Sequence, residues 1–420
     1  MKQLIFSALL LLGSAWAQGA LENAFRRLGA DTARANIPLE QVLSGGPPPQ
    51  GIPALGFSGD WREAAPASAD PAFVSQEEAA AWLEPQEPVV ILSLPDEAKI
   101  YPLQILTWHE IVNDALGGRP VAVTFCPLCN SALAFDRRIP LSEEALARVQ
   151  ALNPDAEVTG LEPAFIDAYT AQVGDAAIRE GLEVTFGVSG LLYNSNLLMF
   201  DSETSTLWSQ ILGEGNIGTL TDTELLRLPA QIVSFEQART AFPDALVLSQ
   251  DTSYSRSYGQ NPYVGYDAVG SPAFLFQGVT DGRLTPKERV VSVVQGEETV
   301  AYPFVVLEQE RVINDELNGV PLTVFWQEGT ASALDSSNIA QGQDVGAVGV
   351  FNRRVGDREL TFGWQDGAFT DAETNSTWNL LGEAVSGELE GEQLSPVVHD
   401  NTLWFAWAAF KPQTRVYLGE

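Results

Sequence analysis

The strongest constraint on this chain is that part of it is written twice. Val89-Val90 through Leu133 aligns without a gap to Val290-Val291 through Leu334, with roughly a third of the positions identical. Tyr101-Pro102 matches Tyr302-Pro303, and Asn113-Asp114 matches Asn314-Asp315. Gly118-x-Pro120 matches Gly319-x-Pro321, and Ser131-Ala132-Leu133 matches Ser332-Ala333-Leu334. Further on, Asp201-x-x-Thr204-x-x-x-Trp208 matches Asp371-x-x-Thr374-x-x-x-Trp378. The repeat predicts two related halves that arose by internal duplication. Within the first, Val89 to Leu94 reads as a buried strand, Pro95-Asp96 as a turn and Lys99 to Tyr101 as a return strand. Pro102 suits the first turn of a helix over Leu103 to Val112, which Asn113-Asp114 and Gly117-Gly118 would end. Val121 to Phe125 and Ser131 to Asp136 read as strands, and glycine and asparagine punctuate the later sequence at short intervals. The fold class expected is therefore α+β and β-rich.

The rest of the chain is arranged around this repeat. Residues 1–17 look like a secretory signal, with Lys2 before the apolar run Leu4 to Leu12 and Ala15-Trp16-Ala17 before Gln18. That run is much shorter than the ~20 residues a membrane span requires, and no later stretch is long and apolar enough to span a bilayer. An exported protein, periplasmic or extracellular, in an oxidising compartment is the expectation. Residues 18–70 form a Pro- and Gly-rich lead-in, in which Gly45-Gly46-Pro47-Pro48-Pro49 resists both helix and inner strand. Ser75 with Glu78 reads as a capping box opening a helix over Gln76 to Leu83. The first repeat is placed at 71–270, interrupted by an acidic, alanine-rich helical insertion at 138–181, and the second at 271–420. With 23 Lys and Arg against 55 Asp and Glu, the formal charge is −32, which repels phosphate backbones and excludes nucleic acid as a partner.

The repeat also serves as an internal control. Residues common to both copies serve the fold they share, whereas reactive residues confined to one copy are candidates for chemistry. The chain has two cysteines and two histidines. Cys126 stands opposite Gln327, Cys129 opposite Thr330 and His109 opposite Glu310, so the candidate site lies in the first copy. Cys126-x-x-Cys129 follows a strand at a proline-containing turn, where two thiols can close a small disulfide or grip one soft metal ion. His109, read as lying on the preceding helix on one face with Ile105 and Val112, is the expected partner that stabilises the thiolate. Three readings stay open. One is thiol–disulfide redox chemistry at Cys126 and Cys129 with His109, served by a redox partner protein. A second is copper or zinc held by Cys126, Cys129 and His109, with Met199 or Glu110 as a fourth ligand and a metal-delivery partner. The third is a structural disulfide, against which stand the short loop and the ample core.

Other signals are weaker. A lone C-x-x-C is no zinc ribbon, and the strand pattern after it argues against a thioredoxin fold. His109-Glu110-Ile111-Val112-Asn113 lacks the second histidine of a zincin, and Gly187-Val188-Ser189-Gly190 lacks the nucleophile-elbow spacing. His399 reads as a surface or packing residue. The recurring Trp208 and Trp378 read as core, while Trp108, opposite Gln309, is free to line a site.

Several motifs carry a resemblance. They are Tyr101-Pro102-Leu103-x-Ile105-Leu106-x-x-His109-Glu110-Ile111-Val112-Asn113-Asp114 and Phe125-Cys126-Pro127-Leu128-Cys129-Asn130-Ser131-Ala132. Phe186 to Gly190, Asn194-x-Asn196-Leu197, Asp201 to Gln210, Tyr258 to Tyr266 and Arg289-Val290-Val291 add to them. Together they resemble the family called domain of unknown function 3179, over residues 55–420. The resemblance implies an exported protein. It also implies redox chemistry rather than a staple, because some similar proteins carry selenocysteine within the cysteine motif. The segment at 138–181 is longer than the family's usual connection and is a candidate lid or partner surface.

Overall fold

The computed structural model describes residues 19, 21–59, 65–174 and 177–419. The expected secretory signal at 1–17 lies outside them. The chain is β-rich with short helices, as an α+β fold requires.

In the first half, Pro88–Leu94 and Glu97–Pro102 form a hairpin in which Val89 faces Pro102 and Leu94 faces Glu97. Ala230–Ser234 pairs antiparallel with the first of these strands and Leu246–Leu248 parallel with the second. The helix Leu103–His109 begins directly after Pro102, whose φ of −61° suits a helix entry. It ends at His109, three residues before the predicted end, because Glu110 turns to φ +59° while its N–H still reaches Leu106 O. Ile111–Leu116 is a strand, paired with Arg119–Cys126, which pairs in turn with Ser131–Asp136. Ile111 and Val112 are β-branched and wholly buried, so cross-strand packing outweighs the helical spacing that placed them on the helix.

The capping box at Ser75 and Glu78 forms, but its helix closes after Ala79. The insertion is not purely helical. It holds the helices Glu143–Leu152 and Pro163–Val173 and also a three-stranded sheet of Arg138–Leu141, Val158–Gly160 and Glu180–Glu183. Its small core gathers Leu161, Phe165, Tyr169 and Ile178 onto Leu226. The lead-in is integral to the body: Val42–Ser44 adds a strand beside Phe186–Tyr193, and Ala54, Leu55 and Phe57 are buried.

The second half repeats this order. Arg289–Gln295 and Glu298–Pro303 form a hairpin flanked by antiparallel His399–Leu403 and parallel Arg415–Val416. The helix Phe304–Glu310 follows, closed by Arg311 at φ +65°, then the paired strands Val312–Leu317 and Val320–Gln327. Shared residues make the same bonds in each half. Tyr101 Oη donates to Asp114 and Tyr302 Oη to Asp315, both at 2.8 Å. Trp208 Nε1 donates to Asp201 and Trp378 Nε1 to Asp371, both at 3.0 Å. One aligned segment departs: Ser332-Ala333-Leu334 is not a strand, and Ala347–Asn352 takes the place beside Val320–Gln327. Among the described residues, no helix is long and apolar enough to cross a membrane.

Candidate functional site

The two cysteines sit at the tip of a hairpin. Cys126 ends one strand opposite Ser131, and Pro127, Leu128, Cys129 and Asn130 make the connection. Cys129 N–H returns to Cys126 O at 3.1 Å and Asn130 N–H to Pro127 O at 3.2 Å. Asn130 completes the turn at φ +53°, a conformation asparagine tolerates better than most side chains. This tight turn brings the free, buried cysteines to within 3.7 Å of each other.

Two other parts of the chain hold this loop. The hairpin between Phe186–Tyr193 and Asn196–Asp201 turns through Asn194 and Ser195, at φ +49° and +69°. Its Ser195 carbonyl oxygen lies 3.9 and 3.5 Å from the sulfurs of Cys126 and Cys129. Asn196 Nδ2 lies 3.6 Å from Cys129 Sγ, and Gln210 ties Asn196 to Ser131 O and Thr124. The second half supplies the other grip. Leu403 N–H and Thr402 Oγ1 both donate to Cys129 O, at 2.8 and 2.9 Å, and Ser131 Oγ donates to Asp400 at 2.9 Å. The half without cysteines thus positions the cysteines of the other.

The two thiols are not equivalent. Burial alone raises the Cys126 thiol, but the Cys129 S–H and the backbone amides of Leu197, Cys129 and Leu128 together overcome burial and bring it below the usual thiol value. Burial raises Cys129, and donation to Cys126 and the charge there raise it further. The arrangement therefore favours a thiolate at Cys126 and a protonated donor at Cys129.

His109 does not join them. Its Nδ1 lies 2.7 Å from Pro53 O and its Nε2 2.6 Å from Tyr258 Oη, so the ring donates to the carbonyl and accepts from the phenol. Tyr258 is tied in turn to Thr252. Burial lowers the imidazole from its usual 6.5 to about 4, so it is neutral near pH 7. Among the described residues, no three His, Cys, Asp or Glu side chains come together to hold a metal ion. The expected ligand set of Cys126, Cys129 and His109 is therefore not gathered, because both ring nitrogens are committed elsewhere. Met199 lies in the core opposite Trp208 and Trp108 donates to Gln260 O, while His399 is buried against Val397 O.

The acid beside the cysteines is Glu110. Its backbone carbonyl accepts from Phe125 N–H at 2.7 Å, one residue before Cys126. Burial, and then the charge on Cys126, hold its carboxyl well above the usual range. Among the described residues its side chain makes no hydrogen bond. It lines a largely apolar cavity of about 280 Å³ with Leu128, Leu197, Tyr263, Tyr266 and Phe274. Leu128 lies between the two cysteines, and Leu197 supplies an amide to Cys126. Sequence reasoning placed Glu110 only as a spare metal ligand. The repeat held the missing signal, since Glu110 stands opposite Arg311, which stacks on Trp326 and pairs with Glu328.

A profile of the family described as "Protein of unknown function (DUF3179)" matches residues 51–414, and the chain belongs to that family. Searches of curated proteins and of solved structures found no significant match.

Proposed function

We propose that this member of the family is a thiol–disulfide oxidoreductase whose working groups are Cys126 and Cys129. The observation that carries this reading is the polarised pair: two neighbouring thiols, one stabilised as thiolate by three backbone amides and the other held protonated as its donor. Cys126 attacks one sulfur of a substrate disulfide, forming a mixed disulfide and releasing the first thiolate. Cys129 then attacks Cys126, closes the internal disulfide and releases the second thiol, its own proton leaving with that product. The protein loses two electrons and the substrate gains them. His109 holds Pro53 and Tyr258 together rather than serving the thiols.

The N-terminal sequence, with Lys2, an apolar run and Ala15-Trp16-Ala17, supports an exported protein whose mature chain begins at Gln18. The matching strand order and matching Tyr–Asp and Trp–Asp bonds of the two halves support descent from a duplication, after which only the first kept the site.

A redox titration of the pair, read by thiol trapping and intact mass, tests the function. A potential between about −120 and −230 mV is expected of an exchanging pair, whereas one below about −300 mV marks a structural staple and ends this reading.

A further inference from the structure

Cys126 is only 2% exposed and Cys129 is fully covered, so a folded partner cannot bring its own disulfide to them without displacing the loops that hold them. Beside the cysteine loop lies the cavity, which Leu128 and Glu110 line and neither cysteine does. Its walls are the apolar and aromatic side chains of Leu128, Leu197, Tyr263, Tyr266 and Phe274, and its carboxyl is that of Glu110, a residue 8% exposed whose side chain makes no hydrogen bond among the described residues. A volume of about 280 Å³ admits a small organic molecule. In the aligned second segment, Glu110, Cys126 and Cys129 are replaced together by Arg311, Gln327 and Thr330.

An unpartnered acid is of little use to disulfide exchange, because a thiolate is a weak enough base to depart without a proton. It matters when the leaving atom is an alkoxide oxygen, which is far more basic and needs a proton as it departs. We propose that this cavity binds the apolar body of an organic hydroperoxide, and that Glu110 protonates the oxygen that leaves. This inference rests on the redox reading of Cys126 and Cys129. The Cys126 thiolate attacks the distal oxygen, the O–O bond breaks, and the alkoxide takes the Glu110 proton to become an alcohol. Cys126 becomes a sulfenic acid. Cys129 attacks its sulfur, forming the disulfide, and the departing hydroxide takes the Cys129 proton to become water. A dithiol reductant then returns two electrons and two protons, restoring the Cys126 thiolate, the Cys129 thiol and the Glu110 carboxyl.

The test compares three oxidants on the reduced full-length protein: cumene hydroperoxide, hydrogen peroxide and 2-hydroxyethyl disulfide. Quenching by alkylation and intact mass reads the rate at which the Cys126–Cys129 disulfide forms. Cumene hydroperoxide is expected to react about 30-fold faster than hydrogen peroxide, from burial of its aryl group. Glu110→Gln is expected to slow the cumene hydroperoxide reaction about 100-fold more than the disulfide reaction. Equal rates for the two peroxides overturn the inference, a comparison that needs no variant to fold. So does an equal loss of both reactions in Glu110→Gln. If 2-hydroxyethyl disulfide oxidises the pair and cumene hydroperoxide does not, the hydroperoxide inference fails and the redox reading stands. If none of the three oxidises the pair, the redox reading fails as well.

Discussion

His109 is buried and neutral, and its two ring nitrogens join Pro53 to Tyr258. This has a measurable consequence for acid stability. The unfolded imidazole titrates near 6.5 and the folded one near 4, so between those values the unfolded chain binds a proton that the folded protein refuses. The contribution of His109 to stability is complete above pH 6.5 and is lost as pH falls toward 4. At about 1.4 kcal/mol per pH unit, the loss is about 3 kcal/mol. His109→Ala removes this dependence. At pH 7.5 it also costs about 3 kcal/mol, because Pro53 O and the Tyr258 hydroxyl lose their partner and a buried ring leaves a void. Urea denaturation of both proteins at pH 7.5 and 4.5 measures both terms. With only two histidines in the chain, NMR of the ring protons reads the titration directly. The expected result is that His109 is neutral down to about pH 4 and that the thiol alkylation profile against pH is the same in His109→Ala. An imidazole titrating near 6.5, with thiol reactivity that falls in the variant, refutes the argument and restores His109 as the charge partner of the cysteines.

Two further predictions follow from buried carboxylates. Burial pushes Asp400 from the usual 3.8 to about 7, against the opposing Arg227 charge and Ser131 hydrogen bond, so its ionisation destabilises the fold increasingly as pH rises through that window. Asp400→Asn should abolish a fall in stability of up to about 4 kcal/mol between pH 4 and 8; denaturation curves with an unchanged slope against pH contradict this. Asp371 accepts from Trp378 Nε1, the Ser376 amide and the Thr374 hydroxyl, at 3.0, 3.1 and 2.8 Å. Asp371→Ala leaves these buried donors empty and should cost at least about 3 kcal/mol in urea denaturation, and a cost below about 1 kcal/mol would mean the motif is not a structural clamp.

Much of the first half was legible because its signals are local. Alternating and continuous apolar runs marked Pro88–Leu94, Arg119–Cys126 and Ser131–Asp136, the last with its predicted bounds. The capping box at Ser75 was readable because both its residues lie within one turn. The helix end was not. Ile105, His109 and Val112 have helical spacing, but the backbone reverses at Glu110 and the β-branched residues after it gain more from pairing with Val123 and Thr124. The insertion was misjudged for a related reason: its strands are short, and their pairing across the segment leaves no periodicity to read.

The sequence by itself determined that the chain is β-rich, that a pattern recurs and that both cysteines belong to its first occurrence, because composition, spacing and repetition are properties of the chain before it folds. Only the tertiary structure decided which groups surround those cysteines. His109 is 17 residues from Cys126 yet turns to Pro53 and Tyr258, whereas Ser195, Asn196 and Thr402, far away in sequence, meet the cysteine loop. The properties of a thiol depend on burial and on the donors within a few ångströms. Those are set by long-range packing, which no local spacing encodes.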